Sequence, residues 1–147
     1  MMNIFLLDFY SRLKAWHQLK EDLKDADIES VCLEVDKFWQ KVPLRARYLH
    51  VDEIDTWPDP WNLLYDNDFC LYGRALGMIY TLLLLGIKNI DFVEGIDDSY
   101  ENMVLVLVDD AKYVLNGWPD SVVNTNLTSF TNIKHINIDP LIKKTSK

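Results

Sequence analysis

The chain has 147 residues, of which 49% are hydrophobic and 12% aromatic, and its formal net charge is −8 at pH 7. A length and composition of this kind predict one domain with a buried core, so we treat residues 1–147 as a single unit. The acidic charge argues against nucleic-acid binding and against attachment to an anionic membrane surface, because both need clustered Lys and Arg.

The cysteines and the apolar segments indicate the compartment. Cys32 and Cys70 fit neither a disulfide framework nor the spacing of a zinc site, and two reduced thiols favour an intracellular setting. The N-terminus lacks the basic region and cleavage site of a signal peptide. The longest apolar run, residues 71–85, is shorter than the roughly 20 residues of a bilayer span. We therefore predict an intracellular protein without cofactor, metal or membrane contact, with Cys32 as a small core residue.

Two amphipathic helices are predicted in the first third of the chain. Apolar residues recur at roughly helical spacing over residues 3–24, which predicts one helix with a break near Ser11. Either Asp25 or Asp27 can cap the second helix. Pro43 ends it, because a proline cannot continue a helix interior.

A rigid segment, Trp57-Pro58-Asp59-Pro60-Trp61, follows a mixed polar stretch. The prolines restrict the backbone and hold the two tryptophans on a stiff frame. Packing of both rings on the following helix is the simpler interpretation, and a partner surface is the alternative. Pro60 in a first helical turn, with Asp59 as its cap, predicts a short helix over Trp61–Tyr65.

The central helix is predicted from Phe69 onwards, where the sequence becomes apolar on nearly every face. The turn cluster Asp66-Asn67-Asp68 is predicted to supply its cap. Gly86 is a natural residue for the end of this helix. Gly73 and Gly77 lie on one helical face, and we expect them to admit another backbone closely.

Beyond the central helix the pattern changes to strands. Asn89–Val93 alternates between polar and apolar residues, and Met103–Val108 is a continuous apolar run typical of a strand covered on both faces. Lys112–Leu115 follows a tight turn and is predicted as the hairpin partner. A last strand is predicted over residues 133–138, and residues 141–147 are predicted to be a flexible tail.

The order of these elements predicts an α+β fold with segregated helices and strands. Residues 1–43 are the helical N-terminal part. Residues 44–140 are a helix-plus-sheet core, in which a buried central helix packs on a small antiparallel sheet.

A cysteine near a helix start, followed by an Ala- and Leu-rich helix with a Leu-Leu-Leu-Gly-Ile ending, resembles the transglutaminase-like cysteine-protease superfamily. The residues that carry the match are Cys70, Ala75, Leu82–Leu85, Gly86 and Ile87. In that family two further strands follow, of which the first opens with the catalytic histidine and the second ends with the catalytic aspartate; the equivalent hairpin here runs from Asn102 to Asn116. Asn102 and Asn116 stand at those two places here.

The resemblance therefore implies a transglutaminase-like core with a degenerate triad and no catalytic residue, because an asparagine amide cannot take up and return the thiol proton. Cys70 is then a remnant or a core thiol. The alternative is an active acyltransferase or peptidase with Cys70 as nucleophile and a relocated histidine base. His135 and Asp139 are one candidate pair, because residues four apart in a strand face the same way. His50 is another candidate base.

The combination of WPDPWNLLYDNDFC with ALGMIYTLLL also resembles short proteins encoded by large tailed bacteriophages. This second resemblance implies a structural or assembly role in the neck, tail or baseplate of a virion, and a location in the host cytoplasm or the particle. A small acidic domain rich in Trp and Tyr is consistent with a protein that packs against other proteins. We predict Trp57, Trp61 and Trp118 as its contact or packing anchors.

Overall fold

The computed structural model describes residues 3–117, 122–123, 127 and 130–145. In these ranges the helices α1 to α5 span Phe9–Leu23, Ile28–Trp39, Pro60–Asp66, Leu71–Leu84 and Asp139–Lys143. The strands β1 to β4 span Ile90–Ile96, Asn102–Val108, Tyr113–Leu115 and Thr131–Ile136. Two 3₁₀ segments, Ile4–Leu6 and Val51–Thr56, precede α1 and α3.

The four strands form one antiparallel sheet in the order β3-β2-β1-β4. β1 and β2 pair in regular register, from Ile90 opposite Val108 to Ile96 opposite Asn102. β3 is the hairpin partner of β2, as predicted. β4 returns to the other side of β1, and the pairing shifts between Glu94 and Ile96. The structure thus confirms the α+β class and the small antiparallel sheet.

The central helix α4 is surrounded by other elements, which confirms the prediction from its apolar sequence. Every residue from Tyr72 to Leu82 is buried, and the helix packs on α2, α3 and β2. At its end Gly86 has a φ of 87°, which glycine adopts without strain. The N–H groups of Gly86 and Ile87 donate to the last turn of the helix and close it in a Schellman motif.

No helix in the described part of the chain has the length and apolar character that a membrane crossing requires.

The start of α4 differs from the prediction. Cys70 itself is the N-cap residue, with an extended backbone and no capping bond from its side chain. Asp66 is the last residue of α3, and Asn67 ends that helix with a left-handed φ of 51°. The expectation that residues 66–68 cap the central helix is therefore wrong, because Asp66 and Asn67 form the end of α3.

The caps of the other helices follow local rules. Asp8 caps α1 by accepting a bond from the Ser11 N–H at 2.9 Å. The break predicted near Ser11 lies just before α1, between the first 3₁₀ segment and Phe9. Asp27, rather than Asp25, is the N-cap residue of α2. Asp59 caps α3, which confirms the predicted short helix and its proline start.

The C-terminal segment corrects the prediction of a tail. Leu141 in α5 is fully buried in the main core. The Lys144 ammonium donates to the Asp55 carbonyl at 2.8 Å and thereby attaches the segment to the second 3₁₀ segment. The tail prediction is wrong for residues 141–145, because one apolar side chain fills a place in the core.

One hydroxyl group on α4 joins three helices. Thr81 Oγ1 accepts hydrogen bonds from the indole N–H of Trp16 in α1 at 2.9 Å and of Trp39 in α2 at 3.0 Å. It donates its own proton to the Gly77 carbonyl at 2.6 Å. Trp16 and Thr81 are 0% exposed and Trp39 is 1% exposed, so water cannot substitute for any of these partners.

Gly77 provides the space for one of these indole rings. A Cβ at this position would lie 2.4 Å from the ring of Trp39, whereas a Cβ at Gly73 would meet its nearest atom at 3.7 Å. The expectation that both glycines admit another backbone is wrong, because an aromatic ring fills the space beside Gly77 and contacts at Gly73 are ordinary.

Replacing Thr81 with valine tests the hydroxyl group. Thr81→Val keeps the shape but leaves two buried indole N–H groups without an acceptor, and each orphaned donor costs about 1–3 kcal/mol. We expect the free energy of unfolding in urea to fall by about 2–5 kcal/mol. The matched control, Thr81→Ser, keeps the hydroxyl and loses about 1 kcal/mol for the methyl group. Equal losses for the two variants would contradict this role.

Replacing each glycine of α4 with alanine tests the packing of Trp39. Gly77→Ala forces the indole to move, and overpacking of this kind costs about 1–3 kcal/mol. Gly73→Ala meets no close atom and gains up to about 1 kcal/mol in helix propensity. We expect thermal unfolding to show a lower Tm for Gly77→Ala and an equal or higher Tm for Gly73→Ala. A Gly77→Ala variant as stable as Gly73→Ala would disprove the explanation.

Candidate functional site

Cys70, the candidate nucleophile, is enclosed at the head of α4. Its side chain is 1% exposed. The residue before it, Phe69, is held by a backbone hydrogen bond, in which its carbonyl accepts from the Arg45 N–H at 2.8 Å. Burial raises the pKa of the neighbouring Tyr48 to about 12, and the charges of Asp68 and Cys70 act in the same direction. Because Cys70 is almost completely buried, its thiol is closed to a substrate.

The two candidate bases are both exposed at the surface. His135 lies on β4 with its side chain 67% exposed, and its Nδ1 is 2.9 Å from Asp91 Oδ1 on β1. β4 ends at Ile136 and Asp139 begins α5, so the prediction that His135 and Asp139 share a strand face is wrong. The carbonyl of His50 accepts a bond from the indole of Trp57 at 3.0 Å.

Asn116, at the place of the family's aspartate, completes a buried polar network against the first turns of α4. Its Oδ1 accepts from Arg74 Nε at 2.5 Å, and its Nδ2 donates to the carbonyls of Leu71 at 3.2 Å and Val104 at 2.8 Å. Its backbone N–H donates to Asp36 Oδ1 at 2.8 Å. Asn116 is 2% exposed and has a φ of 63°, a left-handed value that asparagine tolerates.

Burial opposes both charges of this network. Desolvation raises the pKa of Asp36, while the hydrogen bond from Asn116 and the charge of Arg74 lower it. Desolvation also lowers the pKa of Arg74, against the effect of Asp36. The network joins α2, α4 and the end of β3, so Asn116 has a structural role in this fold.

A cleft of about 720 Å³ opens beside the first turn of α4, where the sheet extends past the helix. The Tyr72 hydroxyl at its wall donates to the Glu94 carboxylate. Burial raises the pKa of Tyr72, and the hydrogen bond to Glu94 adds to the shift. Polar and charged side chains that line the cleft include Arg47, Tyr72, Glu94, Asn102, Asn132 and Lys134.

Sequence reasoning missed this cleft because its residues come from segments far apart in the chain. One local signal was available. Glu94 follows Phe92 on the face of β1 that packs on the core, where an apolar residue is the norm. A carboxylate at an inward strand position indicates a cleft or a polar partner.

The predicted tryptophan anchors are placed differently from one another. Trp57 is 2% exposed and its ring lies against those of Tyr72 and Phe92, with centroids 5.8 and 6.5 Å away, so it is a packing residue. Trp61 is half-buried against Trp16, at 6.2 Å between ring centroids. Trp118 lies outside the described residues.

An exposed surface, the aromatic patch, is formed instead by Phe9, Tyr10 and Tyr65, and the exposed Leu6 precedes it in the chain. Leu6 is 74%, Tyr10 79% and Tyr65 64% exposed. The Phe9 ring lies between the two tyrosines, at 5.6 Å from Tyr10 and 5.2 Å from Tyr65. Three large side chains of this kind in water are unusual for a surface without a partner.

The Arg12 side chain donates hydrogen bonds to backbone carbonyls next to the aromatic patch. Its Nε donates to the Leu64 carbonyl at 2.9 Å, and its Nη2 donates to the Tyr65 carbonyl at 3.2 Å. Its Nη1 donates to the Leu7 carbonyl at 2.5 Å. The side chain is 7% exposed, so it connects α1 to the end of α3 beneath the exposed rings.

No family model, curated protein or solved structure gives a significant match to this chain. Among the described residues, no group of three or more His, Cys, Asp or Glu side chains is arranged to hold a metal ion. Function is therefore inferred from the residues themselves.

Asn116→Asp tests whether the amide is required where the family has an acid. One carboxylate oxygen would face the carbonyls of Leu71 and Val104, which accept bonds from the amide. We expect the variant to lose about 1–3 kcal/mol of unfolding free energy at pH 7. The loss becomes smaller as the pH falls towards 4, because the protonated form of the new carboxyl group can donate to one of these carbonyls.

Asn102→Asp is the matched control, since Asn102 is exposed at the start of β2 and the same change should be within about 0.5 kcal/mol of neutral. Urea unfolding at both pH values measures the difference. An Asn116→Asp variant as stable at pH 7 as the Asn102→Asp variant would show that the network does not need the amide.

Proposed function

We propose that this protein is a non-enzymatic structural or assembly protein that acts through contacts with other proteins. The observation that carries the proposal is the aromatic patch, in which the exposed Tyr10 and Tyr65 flank Phe9 and the buried Arg12 holds the backbone at Tyr65. Tyrosines held rigidly at a surface give large contact area at low entropic cost, which is how protein interfaces obtain their binding energy.

The contacts of the candidate catalytic residues support a role without catalysis. A cysteine nucleophile needs access to its substrate and a base within hydrogen-bond reach. Cys70 is 1% exposed, and His135 contacts Asp91 in place of a thiol. A protein that uses Cys70 as a nucleophile would have to uncover the thiol and move an imidazole to it.

The degenerate transglutaminase-like core is part of this proposal. It is supported by the position of Asn116, whose amide donates to the Leu71 carbonyl next to Cys70. It is also supported by the order of the elements, in which a helix headed by Cys70 precedes a hairpin that runs from Asn102 to Leu115. On this proposal the fold keeps the arrangement of the family while its polar groups serve stability.

The second sequence resemblance supports a virion component of a tailed bacteriophage, in the neck, tail or baseplate. Aromatic residues are enriched at the buried centres of protein–protein interfaces in general. The aromatic patch is suited to such a contact because its rings are exposed and its backbone is fixed.

Removing two rings of the aromatic patch tests the proposed function. Tyr10→Ser combined with Tyr65→Ser should reduce recovery of the partner protein at least about tenfold, because interface tyrosines often contribute 1–2 kcal/mol each. The measurement is affinity capture, with mass spectrometry, from the cells in which the protein is naturally made. Light scattering after size exclusion detects self-association of the same variants.

Tyr100→Ser is the matched control, since Tyr100 is 90% exposed in the turn between β1 and β2 and is outside the aromatic patch. We expect this variant to recover the partner like the parent protein. A partner that binds the double variant as well as the control, or a monomer that captures no specific partner, would be evidence against the proposal.

A further inference from the structure

The cleft beside α4 brings charges of both signs into a partly apolar space. Glu94 lies half-buried on β1, and Lys134 of β4 is opposite it in the strand register. Arg47 comes from the loop before the second 3₁₀ segment. Within the described part of the chain these three are the charged side chains that line the cleft, so its lining has a net positive charge in a protein of net charge −8.

The Glu94 carboxylate and the Arg47 guanidinium both contact Tyr72, and they do not form an ion pair with each other. The Tyr72 hydroxyl donates to the Glu94 carboxylate. The Arg47 guanidinium lies 4.8 Å from the centre of the same ring, and its Nε donates to the Leu49 carbonyl at 3.2 Å. The ion pairs of the described residues involve other side chains. Among the described residues the two groups form no ion pair with each other, and Lys134 lies opposite Glu94 across the two strands.

A fixed carboxylate beside a fixed guanidinium is complementary to a ligand that carries both charges. A carboxylate is bound best by the planar fork of an arginine, and an ammonium donates strong bonds to a carboxylate. Two charges on one small molecule satisfy Arg47 and Glu94 together, whereas a simple anion or cation leaves one of them exposed to an unfavourable neighbour.

The remaining lining sets the size and character of the ligand. Leu71, Ile96, Val104 and Ile133 contribute apolar surface to the cleft. Its volume of about 720 Å³ lies within the range of roughly 300–1,000 Å³ that is typical of small-molecule sites. A ligand with apolar side chains and the length of two or three amino acids fits this space.

We propose that the cleft binds a short zwitterionic peptide with apolar side chains. The ammonium of the peptide donates to Glu94, and its carboxylate accepts from Arg47. The apolar side chains lie against Leu71 and Val104. This site goes beyond the proposed function, because none of its residues belongs to the aromatic patch and the two sites can be tested separately.

Three dipeptide probes separate the two charges of the ligand. Calorimetric titration at pH 7 should show saturable binding of leucyl-leucine. N-acetyl-leucyl-leucine lacks the ammonium and leucyl-leucine amide lacks the carboxylate, and we expect each to bind at least about tenfold more weakly, since a charge-assisted hydrogen bond contributes more than a tenfold change in affinity.

Matched variants assign each charge to its partner. Glu94→Gln keeps an acceptor for Tyr72 and should remove the discrimination against the acetylated probe. Arg47→Gln should remove the discrimination against the amide probe. The controls are Glu101→Gln and Arg45→Gln, whose residues are exposed and do not line the cleft. We expect both controls to bind leucyl-leucine like the parent protein.

Three results would overturn the proposal. The first is the absence of saturable binding of leucyl-leucine at millimolar concentration. The second is equal affinity for the three probes. The third is an equal loss of binding in the cleft variants and in their controls. Thermal unfolding of each variant confirms that it is folded at the temperature of the titration. None of these results bears on the aromatic patch, whose test uses other residues.

Discussion

The convergence of two indole N–H groups on the single hydroxyl of Thr81 is the constraint around which the helical part of this protein is arranged. Three helices meet there, two of them each with a tryptophan, and the hydroxyl satisfies both donors while donating to its own helix. A buried donor without a partner is costly, so this arrangement favours one packing of α1 and α2 on α4 over its alternatives. Gly77 belongs to the same constraint, because only a residue without a Cβ leaves space for the ring of Trp39.

Arg74 provides a second connection on α4, towards the sheet. Through Asn116 it connects the helix to the end of β3, and through Asp36 the same network reaches α2. The charges of Arg74 and Asp36 are both disfavoured by burial, and they persist because hydrogen bonds and mutual attraction offset that cost. A central helix that is apolar in composition is thus positioned by two of its polar residues, Thr81 and Arg74.

The sequence predicted those parts of the fold that depend on local patterns. The apolar run, the glycine at its end and the β2–β3 hairpin each follow from short-range rules, as does the cap of α3 by Asp59. Predictions that depended on distant contacts were less successful. The tail prediction was wrong because Leu141 finds a place in a core formed by residues far away in the chain, and no local pattern distinguishes such a residue from a frayed end.

The candidate sites show the same difference between features set by local patterns and features set by distant contacts. Cys70 and Asn116 were identified from order and spacing, but their contacts depend on tertiary structure, which buries the thiol and gives the Asn116 side-chain amide three hydrogen bonds. The aromatic patch needs α1 and α3 side by side, and the cleft needs five separate segments. Neither surface can be read from the chain. The thiol of Cys70 and the amide of Asn116 are buried, whereas Tyr10, Tyr65 and the charged residues of the cleft are in contact with solvent.

The reactivity of the Cys70 thiol decides between a binding protein and a hidden enzyme. In a Cys32→Ala background, only Cys70 can react with iodoacetamide. A buried, unpaired thiol is inert, so labelling at neutral pH should be slow in the folded protein and accelerate only where urea begins to unfold it. Rapid, stoichiometric labelling of the folded protein, slowed by His135→Ala or His50→Ala, would contradict a non-enzymatic role.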